Sequence, residues 1–493
     1  MRATVGIDLG SSSVKLSLVA EDASLLASVE RPYEVSRPRQ GWEEVDPEVW
    51  WSATLEALEE LCAKYFGLQI VGIGVTGQMH TTVFVDGSGN SVRPAIMWSD
   101  ARTADMVAPA RETFSQLGLL GSERIVSTGS PSLNLAWLVE NEPDAASRVE
   151  RFLIGPDWIV FKLTGVMGTD FCEASTSALF DFESGSWSEA ACESLGIPVS
   201  WCPEIRGSAC AAGTLLPDLA ERLGLEASVE VAVGTGDNPA AAIPTGCLTE
   251  GRPVLSLGTS CVLMFSRSKP DFSAKGKNIL VSFDGHEVQT LVQGVVQSCG
   301  SSRKWLDLDV LTCGSHVEAD EEVPLDLMGR NPVTFYPHLT GEKTLYADPS
   351  LRGAFLGLST STTRGELILA LMEGIAFGVR QLVDETGLEI ARDDGLQVIG
   401  GGARSDVWMQ VLADVLGVKT LRMRGAASAG YGAALLSLSA SCGLALSDAC
   451  GNAVSVDRVF VPRGEISQDY SSQYARYLRV HDAIKLLDNP VEG

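Results

Sequence analysis

Val233-Gly234-Thr235-Gly236-Asp237-Asn238, followed by Pro253-Val254-Leu255-Ser256-Leu257-Gly258-Thr259-Ser260, is the stretch on which the reading of this chain turns. The apolar run Val229 to Val233 reads as a buried strand, and the turn that leaves it carries a single acid. Glycines on the N-terminal side of Asp237 free the backbone for conformations that a side chain forbids. That sets the acid at a strand end, facing a cleft. Further on, a second apolar run ends in Gly258-Thr259-Ser260, whose small residues and free N–H groups can wrap an anion. An acid beside such a cradle supplies what phosphoryl transfer to an alcohol needs, a proton acceptor and a charge stabiliser. The same letters also describe two ordinary turns, with Asp237 as a helix N-cap. The rest of the chain has to decide.

It opens on a similar arrangement. Thr4 to Gly10 reads as a strand ending in an acid and a glycine, Ser11-Ser12-Ser13 as a tight turn, and Val14 to Ala20 and Leu25 to Val29 as returning strands. Feeding a hairpin rather than a helix separates this start from a Walker loop or a Rossmann fingerprint. Asp8 is placed to hold a metal-bound water, with Gly10, Ser11 and Ser12 facing phosphate; the plain alternative is an acid that closes a β-turn. The second half begins alike, about a domain's length later, with Val254 to Leu257, Cys261 to Ser266 and Ile279 to Asp284 as its strands. A third turn, Gly400-Gly401-Gly402-Ala403-Arg404, follows the strand Gln397 to Ile399 and leads into a helix from Asp406 to Leu416.

A chain of 493 residues is too long for one core and divides here into residues 1–245 and 246–493. Its 45% hydrophobic and 20% charged content is that of a soluble globular protein. No apolar run is long enough to span a bilayer, and Met1-Arg2-Ala3 leads straight into a strand, so the expected compartment is the cytoplasm. A net charge of −26 argues against nucleic acid or an anionic membrane as partner. Eleven cysteines without a Cys-x-x-Cys pair and five scattered histidines suggest neither a disulfide framework nor structural zinc. Pro47 to Phe66 is an amphipathic helix behind Asp46, with Trp51, Leu55, Leu58, Cys62 and Tyr65 on one face. Val83 to Asp86 and Ser91 to Arg93 read as a hairpin, and residues 465–493 as a final, peripheral helix.

Taken in order, Asp8 to Ser13, Leu257 to Ser260 and Gly400 to Arg404 resemble the phosphate-one, phosphate-two and adenosine segments of the sugar kinase, heat-shock chaperone and actin superfamily. The resemblance implies an α/β fold of two ribonuclease-H-like, actin-like ATPase domains around a central cleft. It also implies ATP and Mg²⁺, with Gly10, Ser11, Ser12, Gly258, Thr259, Ser260, Gly401, Gly402 and Ala403 against the nucleotide and Asp8 at the metal.

Further motifs narrow this to the FGGY carbohydrate kinases. Gly129-Ser130-Pro131 through Trp137-Leu138-Val139-Glu140-Asn141 resembles that family's N-terminal signature, with Asn134 where lysine is usual. Gly353-Ala354-Phe355-Leu356-Gly357-Leu358, continuing to Glu373, resembles the C-terminal one, with Leu371 slightly off pattern. Pro337-His338-Leu339-Thr340-Gly341-Glu342-Lys343-Thr344 resembles the family's Pro-Tyr-Leu-x-Gly-Glu-Arg-Thr. Gln78-Met79-His80 is similar to the sugar loop of the family's xylulose kinases, where Met and His line the pocket. The resemblance spans residues 4 to 445.

It implies Asp237 as general base and Met79, His80, Asp237 and Asn238 against the sugar. The implied reaction is phosphorylation of a ketopentose, D-xylulose first. The alternatives are another sugar or polyol (ribulose or a deoxy-ketose) and, remotely, a non-enzymatic chaperone or filament ATPase. Thr81, where xylulose kinases commonly have glycine, puts a hydroxyl near the sugar. His80 is expected to act as a neutral hydrogen bonder, its alternative being a satisfied core histidine. Trp98, Asp100 and Arg102 either line the cleft or form a structural cluster, and Ser428 touches adenine or serves a close helix contact. Sugar and ATP are the implied partners, and a homodimer is left open.

Overall fold

A computed structural model of the chain describes residues 1–247, 250–391, 393–425, 428–451 and 453–488. Two seven-stranded sheets dominate it, one built from each half of the chain. In the first, β1 (Arg2–Leu9), β2 (Ser13–Ala20) and β3 (Leu25–Pro32) form an antiparallel meander, and β4 (Gln69–Gly77) lies parallel to β1. Next come β5 (Ala211–Thr214), β6 (Glu230–Ala232) and the two-residue β7 (Thr235–Gly236). The order is β5-β6-β4-β1-β2-β3, with β7 against the end of β4. β1 and β4 bury apolar side chains on one face (Val5, Ile7, Ile73 and Val75 among them), and the alternate positions Thr4, Gly6, Gly72 and Gly74 make the other face small, so both sides can be covered closely.

The second sheet repeats the plan. β8 (Val254–Leu257) and β9 (Cys261–Arg267) are its opening hairpin, β10 (Lys277–Val281) and β11 (Gln289–Val296) extend it, and β12 (Leu396–Ile399), β13 (Thr420–Gly425) and β14 (Val454–Phe460) complete it. The order is β10-β11-β9-β8-β12-β13-β14. The counterpart of β3 is therefore β11, and the expected third strand from Ile279 lies one place further out, at the edge. β11 hides from a hydropathy reading because Gln289, Thr290, Gln293 and Gly294 interrupt its apolar positions.

Helices fill in around the sheets: α1 (Pro47–Lys64), α2 (Phe171–Thr176), α3 (Asp237–Ala242), α4 (Arg364–Thr386), α5 (Asp406–Leu416), α6 (Ala429–Cys442) and α7 (Gly464–Asp488). Asp46 caps α1 by accepting from Glu48 N–H, as expected. Its buried stripe, however, runs through Trp50, Thr54, Ala57, Leu58 and Leu61, and Trp51 is only partly covered. Thr82–Asp86 pairs with Val149–Ile154, and the expected hairpin partner at 91–93 contributes one isolated bridge, Val85 to Ser91. Those strands, with Glu44–Val45 and Ala95–Ile96, make a small four-stranded sheet that carries the loop 78–81.

The final helix is not peripheral. Tyr470, Tyr474 and Tyr477 on α7 are buried against Phe377 of α4, so the aromatic face that looks like a solvated surface in sequence closes the second core. Residues 489–493 of that expected helix lie outside the described residues.

α6 makes the least expected contact, since it packs across β1, β4 and β2 of the first sheet and against α3. Glycines permit the approach. A Cβ on Gly6 would stand 1.8 Å from Gly430 O, one on Gly74 1.9 Å from Ala433 O, and one on Gly432 1.8 Å from Ala240 O. Thr4 Oγ1 donates to Ala434 O at 3.0 Å in the same seam. Among the described residues no helix is long and apolar enough to cross a membrane.

Candidate active site

Strand register brings two acids to one end of the first sheet. Asp8 pairs with Thr76 on β4, and Thr76 pairs on its other side with Thr235 of β7. The chain then turns at Gly236 directly into α3, whose first residue is Asp237. Gly234 before it has φ of +84°, and a Cβ there would meet Val75 O at 2.1 Å, so the turn requires glycine. Asp237 Oδ1 is buried without a hydrogen-bond partner. Burial pushes the Asp237 carboxyl up to about 6, against the pull of Asn238 N–H and the Lys277 charge. Burial and then the charge of Asp237 push Asp8 up to about 7, with Lys15 pulling it down and Glu30 adding to the rise. Asp8 therefore titrates against the charge of Asp237.

The turn after Asp8 is pinned from several sides. Gly10 N–H donates to Ser13 O at 3.0 Å, Tyr33 N–H donates to Ser12 O at 3.0 Å, and Tyr33 OH donates to Gly10 O. Trp98 Nε1 donates to Ser11 Oγ at 3.0 Å, tying the turn to the neighbouring loop.

In the loop leaving β4, Gln78 N–H donates to Leu9 O at 2.9 Å, and Met79 Sδ accepts from Asn238 Nδ2 at 3.5 Å. His80 sits at φ of +71°, a conformation costly for a residue with a side chain. Its Nε2 lies 2.9 Å from Lys277 Nζ, while Nδ1 is buried and unpartnered. Burial and the lysine hold the imidazole well below its ordinary value, so it is neutral.

Two groups here escape a sequence reading. Glu173, on α2, is buried with neither carboxyl oxygen hydrogen-bonded, and burial followed by Asp170, Asp157 and Asp237 pushes it well above the carboxylate range. It packs so close to Gly236 that a Cβ there would be 3.0 Å from Glu173 Oε1 and 2.6 Å from Met79 Cγ. Its only sequence signal is an acid in the first turn of a short helix, which ordinarily reads as a solvated helix end. Lys277 gives no signal beyond opening an apolar strand.

The second sheet presents the other two turns side by side, because Ser256 of β8 pairs with Ile399 of β12. Gly258 N–H donates to Ser260 O at 3.1 Å, Gly300 N–H to Gly258 O at 2.9 Å and Cys299 N–H to Thr259 O at 3.2 Å. Gly400 has φ of +92°, and a Cβ on it would meet Leu257 O at 2.7 Å. A cavity of about 680 Å³ opens here, lined by Ser256, Gly400, Gly401, Ala403, Arg404 and Arg424 among others. A Cβ on Gly402 would lie 2.9 Å from Leu257 Cβ and 3.0 Å from the Trp408 ring, so close packing there also calls for glycine.

Of the residues with open alternatives, Asp100 and Arg102 form a buried ion pair at 2.8 Å beside Glu44, a structural cluster. Trp98 alone of that group is exposed, next to Ser11. The Thr81 hydroxyl is buried and accepts from Trp98 N–H at 3.1 Å, which ties it to the neighbouring loop. Asn134 is fully buried and donates to Thr82 Oγ1 and Gly129 O. Ser428 caps α6 by accepting from Tyr431 N–H at 3.3 Å.

The chain belongs to the FGGY family of carbohydrate kinases, whose N-terminal domain matches residues 3–244 and whose C-terminal domain matches residues 254–441. It is 30% identical to a xylulose kinase of Bacillus subtilis (strain 168), over 100% of this chain and 99% of that protein. It is 31% identical to a glycerol kinase of Citrifermentans bemidjiense, covering 94% and 95%. The crystal structure of a xyloylose kinase from Brucella ovis superimposes with a TM-score of 0.89 at 31% identity, covering 98% of this chain and 99% of that one.

Proposed function

We propose that this enzyme transfers the γ-phosphoryl group of ATP to a primary hydroxyl of a ketopentose in the cytoplasm, D-xylulose giving D-xylulose 5-phosphate. The observation that carries this reading is a group of buried polar atoms without protein partners at one sheet end: Gln78 Oε1, His80 Nδ1, both Glu173 carboxyl oxygens and Asp237 Oδ1. Leaving such an atom unsatisfied costs about 1–3 kcal/mol, and a ligand made of hydroxyls answers that need. The curated relatives include proteins named xylulose kinase, which favours a ketopentose.

Asp237 accepts the hydroxyl proton as the new O–P bond forms and the bond to ADP breaks; with its carboxyl at about 6, it is ionised at neutral pH. His80 and Asn238 orient the sugar beside it, and Met79 supplies the apolar wall. Gly10, Ser11 and Ser12 from one side and Gly258, Thr259 and Ser260 from the other face the phosphates. The adenosine lies in the cavity over Gly400, Gly401 and Ala403. Asp8 fits a metal site, being a half-buried acid whose charge only Lys15 relieves. Among the described residues no cluster of three or more ligating side chains could cage an ion, so Mg²⁺ would rest on Asp8, water and nucleotide. When bound, it neutralises charge on the phosphates. Residues 1–245 and 246–493 are the two proposed units.

ADP release across ketopentoses, hexuloses and polyols, with wild type and Asp237→Asn in parallel, tests this. D-xylulose should give the highest kcat/KM. Preference for glycerol would install the second reading, which the 31% identical glycerol kinase supports.

A further inference from the structure

The sugar loop and the proposed base stand on the first domain, yet one side chain reaches them from the second. Lys277 opens β10, the edge strand of the second sheet, directly after Gly276 with its φ of +100°. β10 lies on α2 of the first domain, where Leu280 N–H donates to Ser175 Oγ at 3.0 Å. That seat delivers Lys277 Nζ to within 2.9 Å of His80 Nε2. Burial holds Lys277 below its ordinary value, with Lys343 adding to the drop; Cys172, Glu173 and Asp237 work against it, and of these Asp237 is the one ionised at neutral pH.

Held as an ammonium by the Asp237 charge, Lys277 has three hydrogens and no lone pair, so it can only donate. The ring nitrogen it meets must be the bare one, and the imidazole's own hydrogen must sit on Nδ1. Nδ1 is the buried, unpartnered atom of the same ring.

We infer that Lys277 is a positioning residue of the sugar site: across the cleft, it fixes His80 as the Nδ1–H tautomer and thereby sets which hydrogen the ring offers to a sugar oxygen. The consequence for the sugar rests on the function proposed above; the tautomer does not. Because the contact joins the two domains, His80 is locked only when they stand as close as they do here. Lys277 should therefore act on sugar affinity rather than on the phosphoryl step.

Full-length protein labelled with ¹⁵N-histidine has five side chains to resolve, and His80→Gln identifies the one at issue by its loss. In long-range ¹H–¹⁵N spectra, wild-type His80 should appear neutral with its hydrogen on Nδ1. Lys277→Met should move that hydrogen to Nε2, and Lys277→Arg, which keeps a donor, should leave it on Nδ1. In kinetics, Lys277→Met should raise the sugar KM roughly 10-fold, as for one lost charged hydrogen bond, with kcat changed less than about 3-fold. An Nε2–H tautomer in the wild type overturns the inference, as does an unchanged Nδ1–H tautomer in Lys277→Met. Should Lys277→Met fail to fold, the wild-type spectrum still decides. Absence of turnover on every sugar would sink the kinase substrate reading and leave the spectroscopic result standing.

Discussion

A carboxyl at about 6 is a better proton acceptor than one at its usual 3.8, and the sign of its pH dependence follows. Below about 6 Asp237 holds its proton and cannot take another, so kcat/KM should climb as pH rises through about 6 rather than through about 4. A pH profile of wild-type kcat/KM tests this, and an acid limb near 4 would remove Asp237 as the base. Asp237→Asn should cut kcat by about 10³-fold or more, on the scale of a lost general base, with nucleotide affinity retained in calorimetry. His80→Ala should chiefly raise the sugar KM; an unchanged KM would take the ring out of the pocket. Asp8, Asp237 and the 78–80 loop are legible in sequence because glycine turns and strand ends mark them locally. Glu173 and Lys277 are not, since what gives each its character is a neighbour far away along the chain: Gly236 for one, His80 for the other.

Among the elements, α6 and α4 carry the tests. A methyl added at Gly6 or Gly432 has backbone oxygen 1.8 Å away, and neither strand nor helix can yield without losing its own hydrogen bonds. Gly6→Ala and Gly432→Ala should each destabilise by about 3 kcal/mol, whereas Gly87→Ala, with open space around it, should stay within about 0.5 kcal/mol. Urea unfolding distinguishes them. On α4, burial pushes Glu373 from 4.5 to about 8, despite hydrogen bonds from Tyr470 OH and Gly329 N–H. The native state then keeps a proton that the unfolded chain has released, so stability declines as pH rises from about 4.5 to about 8. Glu373→Gln should flatten that decline, raising Tm at pH about 8 relative to wild type by more than at pH about 5, as linkage requires. Equal Tm shifts at both pH values would refute it. The long helices and the apolar strands can be read from hydrophobic periodicity. The burial of α7 cannot, because tyrosines beside arginines read as surface until Phe377 is seen to cover them.

For the molecule as a whole, the two acids stand at the end of one sheet and two of the three small-residue turns on the other, so the proposed chemistry needs both. Sugar and nucleotide together should therefore protect the α2–β10 seam, where Leu280 meets Ser175, from hydrogen exchange more than either does alone. Equal protection by nucleotide alone would argue against a joint closing. The repeated turns made the two-domain plan readable. The route of α6 was hidden, because a helix more than four hundred residues downstream of Thr4 leaves no mark near it. That route has a bearing on how the protein is made. The opening strands leave the ribosome first, yet the face they share stays bare until the segment 429–442 has been translated. A nascent chain halted before that point would present a glycine-lined groove, and a peptide spanning 428–445 should be able to fill it in trans and shield a 1–245 fragment from proteolysis. Birth order and sealing order run opposite ways in this enzyme.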